Sequence, residues 1–181
     1  SAKSITEKTD GTGSNLGAFV TIKKDGQVEI ICHRAEMGQG ILTSVPQIIA
    51  EELEADWGQV IAVLGNADPK YGDQNTGGSA SIRRFYVHIR QMGAVARDML
   101  EQAAADQWAV DKSQVAAHNH AVVHKVSGDS LSFAELADAA SKLPVPAAES
   151  VTLKDSANFT LIGRDDIALQ GVEDIVTGKT I

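Results

Sequence analysis

The stretch Glu36-Met37-Gly38-Gln39-Gly40 lies where a β-rich opening gives way to a helical pattern, and it carries two glycines around one amide side chain. Glycines let a backbone approach a ligand closely, and a following helix offers unpaired N–H groups with a partial positive charge. The Gln39 amide can donate and accept hydrogen bonds at once. The stretch therefore has the composition of an anion-binding turn.

A second glycine turn, Thr76-Gly77-Gly78-Ser79-Ala80-Ser81, precedes the longest helical pattern of the chain. Residues 72–79 match the spacing of a nucleotide-binding P-loop, except that Gly78 stands where the lysine belongs. Hydrolysis of a nucleoside triphosphate is not expected without that cation, but the turn and the hydroxyls of Ser79 and Ser81 can still hold a phosphate. Either turn taken alone also fits a plain loop or helix start. Together they predict one phosphate-bearing cofactor held between them.

Composition excludes several classes of function. The 181 residues suffice for one domain with a buried core, and the net charge of −8 argues against non-specific binding to nucleic acid or anionic membranes. No apolar run approaches the roughly 18 residues that span a bilayer. Cys32 is the single cysteine, so any iron–sulfur cluster must be carried by another chain. It shares a strand face with Val28 and Ile30 and is predicted to be a small buried residue.

The pattern of the first two-thirds of the chain predicts a mixed sheet with two main helices. The predicted elements are strands over residues 18–23 and 27–32, a helix over 41–56, a strand over 59–64 and a helix over 82–108. Asp25-Gly26 is a hairpin turn signal, and the order strand, helix, strand indicates a crossover onto a mixed sheet. In the first helix Leu42 and Ile49 fall on one face, while Gln47 and Glu51 fall on the opposite one.

The chain divides into three predicted parts. Residues 1–16 are polar and are expected to form a flexible tail or linker. Residues 17–146 are expected to form an α+β domain, a β-hairpin and mixed sheet packed against two main helices. Residues 147–181 are expected to form an extended C-terminal segment that leads toward a further domain. The remaining elements of the domain are a hairpin over residues 115–118 and 121–126 and a short helix, capped by Ser130 or Ser132, through Ala140.

The charged and titratable residues predict no catalytic or metal site. His118-Asn119-His120 and His124 flank the turn of a hairpin expected to be exposed, and no Cys or carboxylate stands at ligand spacing for zinc. No Ser/His/Asp order, paired carboxylates in a cleft or activated cysteine is evident. Arg83, Arg90 and Arg97 recur every seven residues along the long helix. A solvated face is the default interpretation, and a docking face for another domain or an anionic cofactor is the alternative.

These residues resemble the molybdopterin-binding subunit of the xanthine dehydrogenase and aldehyde oxidase family. The closest likeness is to the isoquinoline 1-oxidoreductase β-subunit type, also labelled aldehyde dehydrogenase large subunit. The resemblance rests on the Met-Gly-Gln-Gly turn with Thr43, on Ile49-Ala50-Glu51-Glu52-Leu53 and on Thr76-Gly77-Gly78-Ser79, and it extends over residues 18–181. Enzymes of this family are several times longer, so the chain is expected to be one excised domain, half of a molybdenum-cofactor-binding region.

The resemblance implies a molybdenum-bearing molybdopterin, in a dinucleotide form, as the cofactor. The cofactor-binding residues that it implies are Gly38, Gln39 and Gly40 on the pterin side and Gly77, Gly78, Ser79 and Ser81 at the phosphate. The catalytic glutamate of the family belongs to a Gly-Glu motif that has no match here, and Glu36 does not replace it. The excised domain is therefore expected to lack the cofactor and to be inactive alone.

The resemblance also implies the reaction of the parent protein. It leaves the compartment open between the periplasm and the cytoplasm of a bacterium. That reaction is hydroxylation of an aldehyde or an N-heterocycle with oxygen from water, and its electrons leave through a small [2Fe-2S] subunit. The other expected partners are the remaining domains of the large subunit. Two alternatives stay open: a non-catalytic phosphate- or nucleotide-binding module that needs no molybdenum, and an interaction domain whose arginine helix is the binding surface.

Overall fold

The computed structural model describes residues 12–172 and 176–178 as two β-sheets and three helices. The elements are β1 (Gly13–Leu16), β2 (Val20–Lys23), β3 (Val28–Cys32), α1 (Ile41–Leu53), β4 (Val60–Leu64), α2 (Tyr86–Trp108), β5 (Val115–His118), β6 (Ala121–His124), β7 (Ser130–Ser132) and α3 (Phe133–Ser141). The predicted α+β class is confirmed. Within these described ranges no helix is both long and apolar enough to cross a bilayer.

The larger sheet has the strand order β1-β2-β3-β4 and is mixed, as predicted. β2 and β3 form an antiparallel hairpin, and α1 crosses over so that β4 pairs parallel to β3, in register from Val28–Val60 to Cys32–Leu64. Cys32 is 1% exposed, and its burial raises the pKa of the thiol to about 11. The thiol therefore stays neutral and packs as the small buried residue that the sequence predicted.

The prediction of a flexible tail over residues 1–16 is wrong for the last four of these residues. Residues 1–11 lie outside the described part of the chain, but Gly13–Leu16 form β1, the edge strand of the larger sheet. β1 pairs antiparallel to β2, and Leu16 is buried in the core. A Cβ on Gly13 would lie 2.5 Å from Thr21 Cγ2, so the strand approaches its neighbour through a residue without a side chain. The strand thus depends on backbone pairing that composition does not reveal.

The two main helices pack against each other at Gly93. A Cβ on this residue would lie 2.3 Å from the carbonyl oxygen of Ile49 and 2.9 Å from Glu52 Cβ. The apolar face of α1 and the small residues of α2 are buried together in one core. α2 begins at Tyr86 rather than at Ile82, which is part of a series of turns that precedes the helix.

We expect Gly93→Ala to destabilise the protein by about 2 kcal/mol, because the new methyl group forces the two helices apart. Alanine is the better helix former by about 1 kcal/mol, so propensity alone predicts the opposite sign. Urea denaturation measures the difference, with Gln107→Ala at an exposed position of the same helix as control. A stabilised Gly93→Ala protein would contradict this packing.

The C-terminal strap, residues 151–162, covers the polar side of α1. The Glu51 carboxylate is buried and accepts hydrogen bonds from the N–H groups of residues 160–162 at 2.6 to 3.0 Å and from Lys154 Nζ at 2.6 Å. Burial works to raise the pKa of Glu51, but Lys154 and these amides outweigh it, and the pKa is lowered. The face of α1 that the sequence pattern made polar is therefore an internal contact surface.

Glu52 is fully buried and joins α1 to both α2 and the strap. Its carboxylate accepts hydrogen bonds from Arg90 Nε at 2.6 Å and from the Lys154 N–H at 2.9 Å, and it pairs with Arg97 at 3.4 Å. Both arginines also donate to strap carbonyl groups. A solvated arginine face is therefore wrong for Arg90 and Arg97, whereas Arg83 is exposed.

Glu52→Gln keeps the shape of this side chain but leaves two arginines without their buried anion. We expect it to lower the free energy of unfolding by about 3 kcal/mol, because breaking a buried ion pair strands the remaining charge. It should also make the strap more susceptible to limited proteolysis. Glu149→Gln, at an exposed position, is the matched control, and a loss below about 1 kcal/mol would contradict the assigned role.

The smaller sheet has the order β5-β6-β7, and it confirms the predicted hairpin and the helix cap at Ser132. The hairpin turns through Asn119 and His120, both with positive φ. His120 is nevertheless buried, and its Nε2 donates to the Gly26 carbonyl at 2.8 Å while its Nδ1 accepts from the Asp56 N–H at 3.2 Å. The predicted exposure is therefore wrong for His120, whose ring joins the two sheets.

Candidate functional site

The two glycine turns border one open pocket of about 450 Å³. The first turn follows the carboxyl end of β3 and the second lies in the loop after β4, and these two neighbouring strands are parallel. Loops at the carboxyl ends of adjacent parallel strands converge on one edge of a sheet, where ligands commonly bind. The pocket is lined by Met37, Gln39, Ile41, Ser44, Thr76, Gly77, Gly78, Ser79, Ser81 and Ile82.

Five of the seven predicted site residues line this pocket. They are Gln39, Gly77, Gly78, Ser79 and Ser81. Gly38 and Gly40 belong to the first turn without bordering the pocket, and both have positive φ, at 92° and 82°. Sequence reasoning assigned no cofactor role to the apolar walls formed by Ile41 and Ile82. Their position directly beside the two glycine turns is the signal that could have indicated them.

The first turn is not an open anion site, because the chain supplies its own anion. The Glu36 carboxylate accepts hydrogen bonds from the N–H groups of Gly38 at 2.7 Å, Gly40 at 3.1 Å and Leu42 at 2.9 Å. Burial works to raise the pKa of Glu36, but these backbone donors outweigh it, and the pKa is lowered. The expectation that the turn offers free N–H groups to a ligand is corrected: Glu36 caps the N-terminus of α1.

Gln39 braces the same turn while it faces the pocket. Its Nε2 donates to the Ala35 carbonyl at 2.8 Å, and its Oε1 accepts from the Met37 N–H at 2.6 Å. A primary amide has two N–H groups and two lone pairs on its oxygen, so one of each remains. Gln39 can therefore contact a ligand without releasing the turn.

The second turn carries the available donors. No hydrogen bond among the described residues uses the N–H groups of Gly77, Gly78 or Ser79. Gly78 and Ser79 both have positive φ, at 60° and 52°, and a left-handed serine costs roughly 1 kcal/mol that the surrounding structure must offset. Strain of this kind clusters at binding sites.

One sequence expectation about the second turn is wrong. α2 begins at Tyr86, so the turn does not open a helix and receives no helix dipole. The donors that the turn itself offers are the backbone N–H groups of Gly77, Gly78 and Ser79 and the hydroxyls of Ser79 and Ser81. The two turns are tied directly, because the Ala35 N–H donates to Thr76 Oγ1 at 2.9 Å.

Within the described residues, the pocket presents hydrogen-bond donors and apolar surface. Across residues 12–172 and 176–178 there is no group of three or more His, Cys, Asp or Glu that could hold a metal ion. His118 is exposed, 3.7 Å from Glu54, and His124 contacts Ser127 at 2.8 Å. The pocket combines unpaired backbone donors and hydroxyls with the apolar side chains of Met37, Ile41 and Ile82. Such a surface suits a ligand with a phosphate and a flat ring.

Glu36→Gln tests the internal cap. We expect a loss of about 1 kcal/mol of stability at neutral pH, because the amide replaces an anion that accepts three N–H groups at a helix start. A lowered folded-state pKa gives stability that is present above the ordinary value of 4.5 and is lost as the pH falls through the folded value. The two proteins should therefore converge in acid, as measured by thermal unfolding from pH 7 to pH 3. A gap of constant size would contradict the assignment.

One known protein family matches a stretch of the chain that includes both glycine turns and the pocket between them. A family profile described as "Molybdopterin cofactor-binding domain" matches residues 2–173. Among solved structures, the chain is similar to quinoline 2-oxidoreductase from Pseudomonas putida 86, with a TM-score of 0.54 and 21% identity, over 71% of this chain and 17% of that one. This second likeness concerns the fold.

Curated proteins give the same picture at higher identity. The chain is 36% identical over 125 residues to the beta subunit of isoquinoline 1-oxidoreductase of Brevundimonas diminuta, covering 65% of this chain and 16% of that protein. It is 32% identical over 149 residues to a nicotinate dehydrogenase subunit of Pseudomonas putida, covering 82% and 12%. It is 42% identical over 87 residues to the membrane-bound aldehyde dehydrogenase [pyrroloquinoline-quinone] of Gluconacetobacter polyoxogenes, covering 48% and 11%. The chain thus spans less than one fifth of each relative.

Proposed function

Because the chain belongs to the molybdopterin cofactor-binding domain family, we propose that the pocket between its two glycine turns holds the phosphate-bearing part of a molybdopterin cofactor in a dinucleotide form. The observation that carries the proposal is that both turns border one pocket, where the N–H groups of Gly77, Gly78 and Ser79 have no hydrogen-bond partner among the described residues. An unpaired donor at an accessible surface is ready to bind an anion.

The residues present fit such a group. The pocket, at about 450 Å³, lies within the range of ordinary small-molecule sites. A phosphate requires N–H groups and hydroxyls, which Gly77, Gly78, Ser79 and Ser81 offer. A flat heterocycle requires apolar walls and an amide at its edge, and here Ile41 provides a wall and Gln39 the amide. Gly38 and Gly40 contribute by shaping the first turn, since Glu36 already occupies their N–H groups.

The domain contributes binding and orientation to the parent reaction. When bound, the cofactor supplies molybdenum chemistry that transfers oxygen from water and removes two electrons. The chain's own residues hold the phosphate end and keep the ring against the first turn. No residue of this chain is assigned a proton-transfer role.

For the whole protein we propose oxidative hydroxylation of an aldehyde or an N-heterocycle. The support is the shared family together with the names of the relatives, which are an isoquinoline oxidoreductase, an aldehyde dehydrogenase and a nicotinate dehydrogenase. The electrons would leave through a small [2Fe-2S] subunit, and the remaining domains of the large subunit would complete the active site. Metal analysis of the full-length protein purified with its partner should find stoichiometric molybdenum. A bound nucleotide without molybdenum would favour the non-catalytic alternative.

Inorganic pyrophosphate tests the phosphate site on this chain alone. We expect its titration to shift the backbone amide NMR signals of Gly77, Gly78 and Ser79 and to leave those of Gly38 and Gly40 nearly unchanged, because Glu36 occupies the first turn. Replacing Ser79 and Ser81 together by alanine should raise the dissociation constant at least tenfold, since even one hydrogen bond to a charged group contributes about 1.5–3 kcal/mol and about 1.4 kcal/mol is a factor of ten.

Ser113→Ala, in a turn that contributes nothing to the pocket, is the control for this pair of substitutions. Pyrophosphate shifts centred on the first turn would reverse the assignment of the two turns. Saturating pyrophosphate without any shift in the second turn would remove the proposed phosphate site.

A further inference from the structure

Arg34 is a buried cation that follows β3 and precedes the first turn. Its partners do not offset the free-energy cost of burying its charge. Its side chain is fully buried, its guanidinium lies 4.1 Å from the centre of the Phe85 ring, and its Nη1 donates to the Asn75 carbonyl. Asp73 lies 3.8 Å away and is half exposed. Nε and Nη2 have no hydrogen-bond partner in the described part of the chain. A buried charge paired so incompletely is unfavourable for stability.

The position of Arg34 indicates what offsets this cost. Arg34 and Ala35 are consecutive, and so are the residues that they hold: Arg34 donates to the Asn75 carbonyl, and Ala35 donates to Thr76 Oγ1. Residues 73–78 form no helix or strand, so few internal bonds define where this segment lies. Thr76 lines the pocket and leads directly into the second turn.

The two ties differ in what they can transmit. The bond from Ala35 is a single contact between a backbone N–H and a hydroxyl that can rotate. A guanidinium is planar and rigid, and that of Arg34 lies over the Phe85 ring while its Nη1 donates to the Asn75 carbonyl, so it contacts the segment at two points. It therefore fixes both the distance and the direction of the segment that precedes Gly77.

We propose that Arg34 is the positioning residue of this pocket, and that its guanidinium holds the 73–85 segment at the separation from the first turn that a phosphate-bearing ligand requires. The inference rests on the proposed function and deepens it. The N–H groups of the second turn bind the phosphate, and Arg34 acts through Asn75 and Phe85 to aim them. The Arg34 guanidinium also bonds Asn75, the residue next to Thr76 of the pocket wall. It therefore brings a positive charge near the pocket in a chain whose net charge is −8.

The test compares four substitutions in the 181-residue chain at a temperature where each is folded by circular dichroism. Arg34→Met removes the charge and the fork, Arg34→Lys keeps only the charge, and Phe85→Leu removes the stacking surface. Arg83→Met removes an exposed charge from the same segment and is the control. The measurements are the dissociation constant for inorganic pyrophosphate and the amide NMR signals of residues 77–79 without ligand.

We expect Arg34→Met to raise the dissociation constant at least tenfold and Arg34→Lys at least fivefold, because lysine cannot reproduce a planar fork. Phe85→Leu should raise it about threefold, and Arg83→Met less than twofold. The unliganded signals of residues 77–79 should move in the first three proteins and stay in place in the control. A role in stability alone would change the unfolding temperature and leave these signals and the affinity as they are.

Each outcome decides between the two proposals. If wild type binds pyrophosphate and folded Arg34→Met binds it within twofold, the positioning role is overturned while the phosphate site stands. Full rescue by Arg34→Lys overturns positioning in favour of a purely electrostatic effect. If the wild-type protein does not bind pyrophosphate, the proposed phosphate site is overturned. If, in addition, the ligand-free amide signals of residues 77–79 are the same in Arg34→Met as in wild type, the positioning role of Arg34 is overturned as well. If both Arg34 variants fail to fold, Phe85→Leu decides, and wild-type affinity and signals in it overturn the role.

Discussion

Burial of α1 on nearly every side is the constraint on which the rest of the structure depends. Eleven of its thirteen residues are buried. Apolar residues such as Ile49 face the sheet and α2, while Glu51 and Glu52 face the strap and two arginines. A carboxylate inside a protein requires donors around it. The charges of α1 therefore couple α2 and the strap to the helix that carries the first glycine turn.

The two glycine turns resemble each other in sequence but differ in what they can bind. Glu36 binds the N–H groups of Gly38 and Gly40, and Gln39 Oε1 binds that of Met37, so the first turn is internally capped. In the second turn the N–H groups of Gly77, Gly78 and Ser79 have no partner among the described residues, and Ser79 has a strained left-handed conformation. Placing both at the carboxyl ends of parallel strands brings them to one pocket, and the bonds from residues 34 and 35 connect them. The unpaired N–H groups of Gly77, Gly78 and Ser79 thereby lie opposite a turn whose own glycine N–H groups are already bonded.

The hydrophobic pattern and the turn residues predicted those strands, helices and turns whose signal lies in neighbouring residues. The hairpin at Asp25-Gly26 and the helix cap, predicted at Ser130 or Ser132, came from short local patterns, and the crossover through α1 came from the order of three such patterns along the chain. β1 escaped prediction because it is an edge strand with one buried apolar residue, Leu16. The burial of Glu51 escaped it because its partners, such as Lys154, lie about a hundred residues further along the chain. No window of sequence contains both halves of such a contact.

The sequence by itself determined the α+β class, the two glycine turns and the family to which the chain belongs, since turn chemistry and hydrophobic period are properties of neighbouring residues. The tertiary structure alone decided which turn keeps free donors, because Glu36 could be recognised as the anion of the first turn only once its carboxylate was seen among the N–H groups. It likewise decided that Arg34 is buried between the turns. Both outcomes depend on the direction in which a side chain points after the strands and helices have packed, and that direction is not a property of any short stretch of sequence.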